Sequence, residues 1–205
     1  MKIRGYLEDI GKRIKGEKVL DVGCLGSYDK SQLVRHNHYK KEAAEIIGID
    51  YNEEYLRKAL DAGNENLYYC DITDSESIYK LSNELGKFKH IIATDVIEHI
   101  DKVGMFCQNM KVLMEDDAYL YLTTPNIRSP YWFSMFTKKR TEKINEDHMC
   151  WYDEVTLGFL LKRYDLVIDK INYCTDDKDK KSAKMFNLKF KPWMGRRMYL
   201  IIRKI

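Results

Sequence analysis

Apolar residues recur along this chain in two alternating patterns. The first is helical spacing near the start, shown by Tyr6, Leu7, Ile10 and Ile14. These positions predict an amphipathic helix over residues 3–15. The second is a short apolar run, residues 19–22, that ends at Gly23. A run of this kind is typical of a buried strand that enters a tight turn.

The alternation continues to the carboxyl end. Strand-like runs cover residues 45–50, 66–70, 88–94, 118–123, 166–173 and 197–203. Helix-like stretches cover residues 28–40, 53–62, 75–86, 101–115 and 152–163. Strands that alternate with helices indicate a parallel sheet with right-handed crossovers. The sequence therefore predicts an α/β fold, with residues 1–205 as a single domain.

One stretch, residues 124–150, fits neither pattern. It contains Pro125, Pro130 and the aromatic residues Tyr131, Trp132, Phe133 and Phe136. A connection of this length is usually a functional loop or forms short helices of its own. We therefore expect residues 124–150 to cover a substrate site.

Composition narrows the class of protein. The 205 residues include 35 Lys and Arg, 32 Asp and Glu, and 44% hydrophobic residues, which is enough to bury a core. No apolar stretch approaches the roughly 18 residues that a membrane span needs. Glu8 and Asp9 interrupt any secretory signal, and the five cysteines form no C-x-x-C pair. These features predict a cytoplasmic protein with reduced thiols that are mostly buried.

The charge is unevenly distributed. Residues 170–205 contain eleven Lys and Arg against three Asp, so this segment carries +8 and the rest of the chain −5. A basic segment can attract an anionic substrate. The alternative is a solvated loop and an edge strand whose lysines prevent aggregation.

Carboxylates follow three of the predicted strands, at Asp21, Asp50 and Asp71. In an open parallel sheet, ligands bind at the carboxyl ends of the strands. A nucleoside suits this arrangement because one carboxylate can accept both ribose hydroxyls and another an exocyclic amine. The alternative is that each Asp caps the helix that follows it.

These segments resemble the motifs of class I S-adenosylmethionine-dependent methyltransferases. The matching residues are Val19-Leu20-Asp21-Val22-Gly23-Cys24, Gly48-Ile49-Asp50, Cys70-Asp71-Ile72 and Val96-Ile97-Glu98-His99-Ile100. Leu122-Thr123-Thr124-Pro125-Asn126 and His148-Met149-Cys150-Trp151-Tyr152-Asp153-Glu154 are similar to a stretch of small-molecule and saccharide O-methyltransferases. The resemblance implies a Rossmann-like three-layer sandwich, with a mostly parallel seven-stranded sheet and a reversed last strand.

The resemblance also implies how S-adenosylmethionine is held. Asp21 and the turn at Gly23 and Cys24 would bind the methionine end, and Asp50 the ribose. Adenine would meet Asp71 and the Ile72 backbone, and Tyr51 and Thr94 are further expected contacts. The chain departs from the family where glycines are usual, at Leu25 and Ser27.

Methyl transfer to a hydroxyl needs a base, and histidine is the natural candidate near neutral pH. His99 follows the fourth predicted strand, and His148 ends the irregular segment, so we expect these two residues to be catalytic. His36, His38 and His90 are predicted to be surface residues. The expected acceptor is a small-molecule or saccharide hydroxyl, and no nucleic-acid partner is expected.

Two alternatives use the same residues differently. Asp95, Glu98, His99 and His148 resemble the metal site of small-RNA 3′-terminal 2′-O-methyltransferases, which would make the acceptor an RNA and the reaction metal-dependent. The basic carboxyl-terminal segment and the aromatic residues after Tyr131 supply part of the groove that RNA would need. The other alternative is a methyltransferase-like binding module that has lost its activity.

Overall fold

The computed structural model describes residues 5–26, 30–138 and 145–205. The helices are α1 (Gly5–Arg13), α2 (Lys30–Lys40), α3 (Glu53–Asp61), α4 (Ser75–Leu85), α5 (Val103–Leu113), α6 (Pro130–Thr137), α7 (Glu154–Lys162) and α8 (Asp177–Met185). The strands are β1 (Lys18–Val22), β2 (Glu45–Asp50), β3 (Leu67–Tyr69), β4 (Phe88–Thr94), β5 (Met114–Pro125), β6 (Leu166–Cys174) and β7 (Arg197–Lys204). Parts of three predicted segments, residues 3–4, 28–29 and 139–144, lie outside the described residues.

All seven strands form one sheet in the order β3-β2-β1-β4-β5-β7-β6. The first five strands are parallel, and β7 runs antiparallel to both of its neighbours, β5 and β6. The strand order reverses between β1 and β4, which is where an open α/β sheet binds its ligand. The predicted α/β sandwich with a reversed last strand is confirmed.

Helices cover both faces of the sheet. On one face, Leu20 of β1 packs in a cluster with Ile78 of α4 and Phe106 of α5. On the other face, Val19 packs with Ile10 of α1 in a second cluster. Because each inner strand is buried on both sides, its residues are apolar almost without a break, as the sequence showed.

The basic carboxyl-terminal segment differs from the prediction. Residues 177–185 form α8, which begins with a capping box between Asp176 and Asp179. Strand β7 lies between β5 and β6 and is therefore not an edge strand. The segment does contain part of an edge strand, since Lys170 lies on β6, but α8 was not predicted because its lysines hide its sparse apolar positions.

Cys24, Cys70, Cys107 and Cys174 are buried, Cys150 is half-buried, and all five thiols are free. The prediction of reduced and mostly buried cysteines is confirmed. Among the described residues, no helix is long and apolar enough to cross a membrane.

Candidate active site

The turn after β1 lies against the loop that follows β4. Gly23 has a positive φ of 66°, and its amide donates to the carbonyl oxygen of Ile49 at 2.9 Å. A Cβ atom at this position would lie 2.8 Å from Cγ2 of Val96. Glycine is required here both by the backbone conformation and by the close approach of Val96. The residue joins the ends of β1, β2 and β4.

The carboxylate of Asp50 is built into this turn. One oxygen accepts the amide of Leu25 at 3.0 Å, and the other accepts the amide of Asn52 at 3.1 Å. Burial raises the pKa of the carboxyl, while these amides oppose the shift. The side chain is 4% exposed, so its orientation is fixed before any ligand arrives.

Leu25, which stands where the family usually has a glycine, packs in the hydrophobic core. The Leu25 side chain is fully buried and packs with Cys24, Leu56 and Leu67. Its bulk therefore points away from the strand ends. Ser27 lies outside the described residues.

Asp21, the last residue but one of β1, lies beside a histidine for which the sequence predicted no contact with it. Nδ1 of His36, on α2, lies 2.8 Å from Oδ2 of Asp21, and both side chains are buried. His90 is also buried and bonds to the hydroxyl of Tyr121 at 2.9 Å, whereas His38 is partly buried. The prediction that these three histidines are surface residues is wrong for His36 and His90, because each has a buried polar partner far away in the sequence.

Asp71 lies at the end of β3 with a local partner. Its Oδ1 accepts both the amide and the hydroxyl of Thr73, at 2.8 and 2.9 Å. The Ile72 carbonyl accepts the amide of the Asn109 side chain at 2.8 Å. Helices α3 and α4 are capped by Asn52 and Asp74. Asp50 and Asp71 are therefore not the caps of the helices that follow them.

The loop after β4 begins with a left-handed residue. Thr94 is buried at the end of β4, and Asp95 follows with a φ of 57°, which non-glycine residues rarely adopt. The Asp95 carboxylate pairs with Arg35 at 3.0 Å and with Arg197 at 2.8 Å, and it accepts the hydroxyl of Thr123 at 3.0 Å. Burial opposes its ionisation, but the two arginines hold its pKa below the ordinary value.

Glu98, His99 and His148 come together below this loop. One ligand atom from each lies within 4.8 Å of the others, a spacing that can hold a metal ion. Asp95 is not part of the group, because two arginines neutralise it. The four-residue metal set suggested by the sequence is thus reduced to three.

Glu98 is almost fully buried, with 1% of its surface exposed. Burial, and then the charge of Asp95, raise the pKa of its carboxyl to about 8. Its Oε2 atom has no hydrogen-bond partner in the described part of the chain. The Glu98 carbonyl accepts the amides of Met149 and Cys150, at 2.7 and 3.1 Å. These bonds join the loop after β4, which carries Glu98 and His99, to the loop that carries His148.

The two imidazoles meet under an aromatic cover. The rings of His99 and His148 lie 4.8 Å apart, and Trp151 contacts His148 at 5.6 Å. Trp132 and Phe136, both on α6, contact Trp151 at 5.0 and 5.5 Å. Burial, and then the neighbouring His99, lower the pKa of His148. Both predicted catalytic residues therefore lie together beneath α6.

Residues 2–171 match the family described as "Methyltransferase domain", which is most of the chain. The chain belongs to the class I S-adenosylmethionine-dependent methyltransferases. S-adenosylmethionine is therefore its cofactor, and it supplies an activated methyl group.

Curated relatives of this methyltransferase include ubiquinone biosynthesis O-methyltransferases. Ubiquinone biosynthesis O-methyltransferase, mitochondrial, from Rattus norvegicus is 27% identical over 125 residues, which are 58% of this chain and 33% of the relative. Ubiquinone biosynthesis O-methyltransferase from Actinobacillus pleuropneumoniae serotype 5b (strain L20) is also 27% identical, over 59% of this chain and 51% of the relative. The chain thus spans between a third and a half of the length of these proteins.

Solved structures share the fold of this methyltransferase. A SAM-dependent methyltransferase from Archaeoglobus fulgidus superposes with a TM-score of 0.62 at 20% identity, covering 99% of this chain and 96% of the other. The small RNA methyltransferase HEN1 superposes with a TM-score of 0.66 at 17% identity, covering 99% of this chain and 25% of the other.

The strand ends of the methyltransferase fit this cofactor. Asp21 and Asp50 are buried carboxylates, the type of acceptor that the amine and hydroxyl donors of this cofactor require, and the left-handed turn at Gly23 lies between them. The ring of Tyr51, next to Asp50, is 73% exposed and open to a flat partner. The sequence assigned no role at the site to His36, Arg35 or Arg197, because their partners lie on other elements.

Proposed function

We propose that this protein is an O-methyltransferase that uses His99 as the base for a small-molecule or sugar hydroxyl. The observation that carries the proposal is the hydrogen bond between Nδ1 of His99 and the carbonyl oxygen of Asp147, at 3.1 Å. A carbonyl oxygen only accepts, so Nδ1 carries the proton. In the neutral ring, Nε2 then keeps its lone pair and can accept the acceptor's proton.

The cofactor is proposed to lie across the ends of β1, β2 and β3. Asp50 holds the ribose hydroxyls, and Asp71 with the Ile72 backbone holds adenine. Asp21 and the backbone of Gly23 and Cys24 hold the methionine end. The Cys24 side chain packs in the core, so only its backbone is available. Tyr51 covers the nucleoside, and Thr94 lies beside the transferred methyl group.

The residues of the cover align the acceptor. Methyl transfer is an in-line displacement, so the acceptor oxygen must be held opposite the sulfonium and away from water. Trp151, Trp132 and Phe136 form an apolar wall beside the two imidazoles. The lowered pKa of His148 favours its neutral ring, which can bond the acceptor hydroxyl while His99 takes the proton. Residues 124–150 thus act as the substrate cover of a single domain.

The test is methyl transfer from radiolabelled S-adenosylmethionine to a panel of phenols, catechols and sugars. His99→Ala is expected to slow transfer about 10²–10⁴-fold, the usual contribution of a general base. Binding of S-adenosylhomocysteine should change less than about twofold, because His99 touches the acceptor only. Glu146→Gln, an exposed change in the same loop, is the control. A His99→Ala protein that transfers at the normal rate contradicts the proposal.

A second candidate function is metal-dependent methylation, with an RNA ribose hydroxyl as one possible acceptor class. The observation that favours it is the group of Glu98, His99 and His148, with the unpartnered Oε2 of Glu98. The bond from His99 to the Asp147 carbonyl would then aim Nε2 at the metal. Titration with Mn²⁺ followed by spectroscopy tests this candidate. If methyl transfer persists after exhaustive chelation, metal-dependent methylation is excluded and the proposal that His99 acts as the base stands.

A further inference from the structure

Asp21 and His36 form a buried pair that takes no part in the proposed methyl-transfer step. Nδ1 of His36 lies 2.8 Å from Oδ2 of Asp21, and the side chains are 2% and 5% exposed. A carboxylate removed from water in this way requires a donor. His36 supplies that donor from α2, the helix that follows the turn after β1.

The imidazole is held rigidly in this position. Gly48 of β2 is the register partner of Asp21, and a Cβ atom at Gly48 would lie 3.1 Å from Cε1 of His36. The same Cβ would lie 2.7 Å from the sulfur of Cys24. The absence of a side chain at Gly48 therefore creates the space in which the ring stands against Asp21.

Helix α2 fixes two carboxylates with two consecutive residues. Arg35 pairs with Asp95 after β4, and His36 pairs with Asp21 at the end of β1. These strand ends flank the point where the strand order reverses. The helix thus sets the orientation of the carboxylates on both sides of the proposed cofactor cleft.

We propose that His36 is a positioning residue for the amino-acid end of S-adenosylmethionine. It holds Oδ2 of Asp21, so that the other carboxylate oxygen is oriented to accept from the cofactor's ammonium group. This proposal rests on the proposed placement of the methionine end at Asp21. It requires His36 to influence the amino-acid part of the cofactor and to leave the nucleoside part unaffected.

Two ligands separate these effects. S-adenosylhomocysteine carries the amino acid, and 5′-methylthioadenosine lacks it but keeps the nucleoside and the sulfur. His36→Leu removes the donor and is expected to weaken S-adenosylhomocysteine binding about tenfold, the scale of one hydrogen bond to a charged group. Binding of 5′-methylthioadenosine should change less than about twofold. His36→Asn places an amide donor near the position of Nδ1 and should recover most of the lost affinity.

Calorimetry on the full chain gives distinguishable outcomes. Equal losses for both ligands would mean that His36 only supports the fold, and unchanged affinity for S-adenosylhomocysteine would mean that it does not act on Asp21. Either result overturns the proposal. If the wild-type protein binds 5′-methylthioadenosine but not S-adenosylhomocysteine, the placement of the methionine end fails first.

A measurement on the wild-type chain covers the case in which His36→Leu does not fold. In protein labelled with ¹⁵N-histidine, the Nδ1 resonance of His36 should move when S-adenosylhomocysteine binds, because its partner carboxylate gains a second donor. It should move much less with 5′-methylthioadenosine. Identical shifts with the two ligands contradict the positioning role.

Discussion

The imidazole rings of His99 and His148 meet edge to face, with centroids 4.8 Å apart and planes inclined at 79°. His99 follows β4 and His148 lies near the end of residues 124–150, so this contact joins the loop after β4 to the predicted substrate cover. Glu98 supports the contact by accepting two amides from the loop after His148. The site is therefore assembled by loop-to-loop hydrogen bonds, and its geometry depends on the turns that hold the strand ends.

Substitution of Gly23 tests one of these turns. Gly23→Ala is expected to destabilise the fold by about 2–4 kcal/mol, because it combines an unfavourable positive φ with an overlap against Val96. Gly63→Ala is the matched control, since Gly63 has a φ of 85° and nothing within 4 Å of the added Cβ. Urea unfolding of both variants gives the comparison.

The Val96 contribution can be isolated with a double-mutant cycle. Gly23→Ala combined with Val96→Ala should be less destabilised than the sum of the two single changes, because the overlapping methyl group is gone. Equal costs for Gly23→Ala and Gly63→Ala, or strict additivity in the cycle, would show that the contact with Val96 is unimportant.

The arginine pair on Asp95 predicts a large stability effect. Arg197→Met removes one of its two partners and should cost about 2–4 kcal/mol, because a carboxylate that is only 18% exposed loses part of its compensation. Arg203→Met, on the same strand, breaks a pair with Asp169 whose side chains are 53% and 47% exposed. That change should cost less than about 1 kcal/mol. Comparable costs in chemical unfolding would contradict the burial argument.

Asp179 predicts a pH-dependent term in the free energy of unfolding. Its side chain is fully buried, and burial raises the pKa of the carboxyl to about 6. The folded state then binds a proton more tightly than the unfolded state, so this residue's contribution falls as pH rises from about 4 to 6. Asp179→Asn removes this contribution. As the pH rises from 4 to 8, the unfolding free energy of Asp179→Asn should therefore increase by about 1–2 kcal/mol relative to that of wild type.

Asp177→Asn is the control for this pH dependence. Asp177 lies in the same first turn of α8, and its side chain is 87% exposed. Asp177→Asn leaves Asp179 in place, so this variant should keep the fall in unfolding free energy between about pH 4 and 6. If the difference between Asp179→Asn and wild type does not change with pH, Asp179 does not contribute this term.

The sheet could be predicted from the sequence because its strands are short apolar runs separated by helices with regular spacing. Helix α8 was not predicted because four of its nine residues are lysines and few apolar residues mark its buried face. The position of β7 between β5 and β6 could not be predicted from its own residues, because strand pairing is a property of the tertiary fold.

Within the candidate site, the positions next to strand ends could be predicted, and their partners could not. His99 and His148 were expected at the site, and the structure brings their rings into contact. The pairing of Asp95 with Arg35 and Arg197 spans three elements, so no local spacing shows it. The bond of His36 to Asp21 could not be predicted for the same reason, since the two residues lie on different elements. Polar pairs between distant residues therefore determine which carboxylates are already paired and which are available to bind a ligand.

Calorimetric titration of S-adenosylhomocysteine into the wild-type protein and into Asp50→Ala tests directly whether the cofactor lies at the strand ends. We expect one ligand to bind per chain, and binding to Asp50→Ala to be weaker by about 1–3 kcal/mol, the value of hydrogen bonds to a charged group. Asp61→Asn, an exposed change on α3, should bind as the wild type does. No binding to the wild type at high micromolar ligand, or equal affinity for the wild type and Asp50→Ala, would contradict the placement of the cofactor at the strand ends.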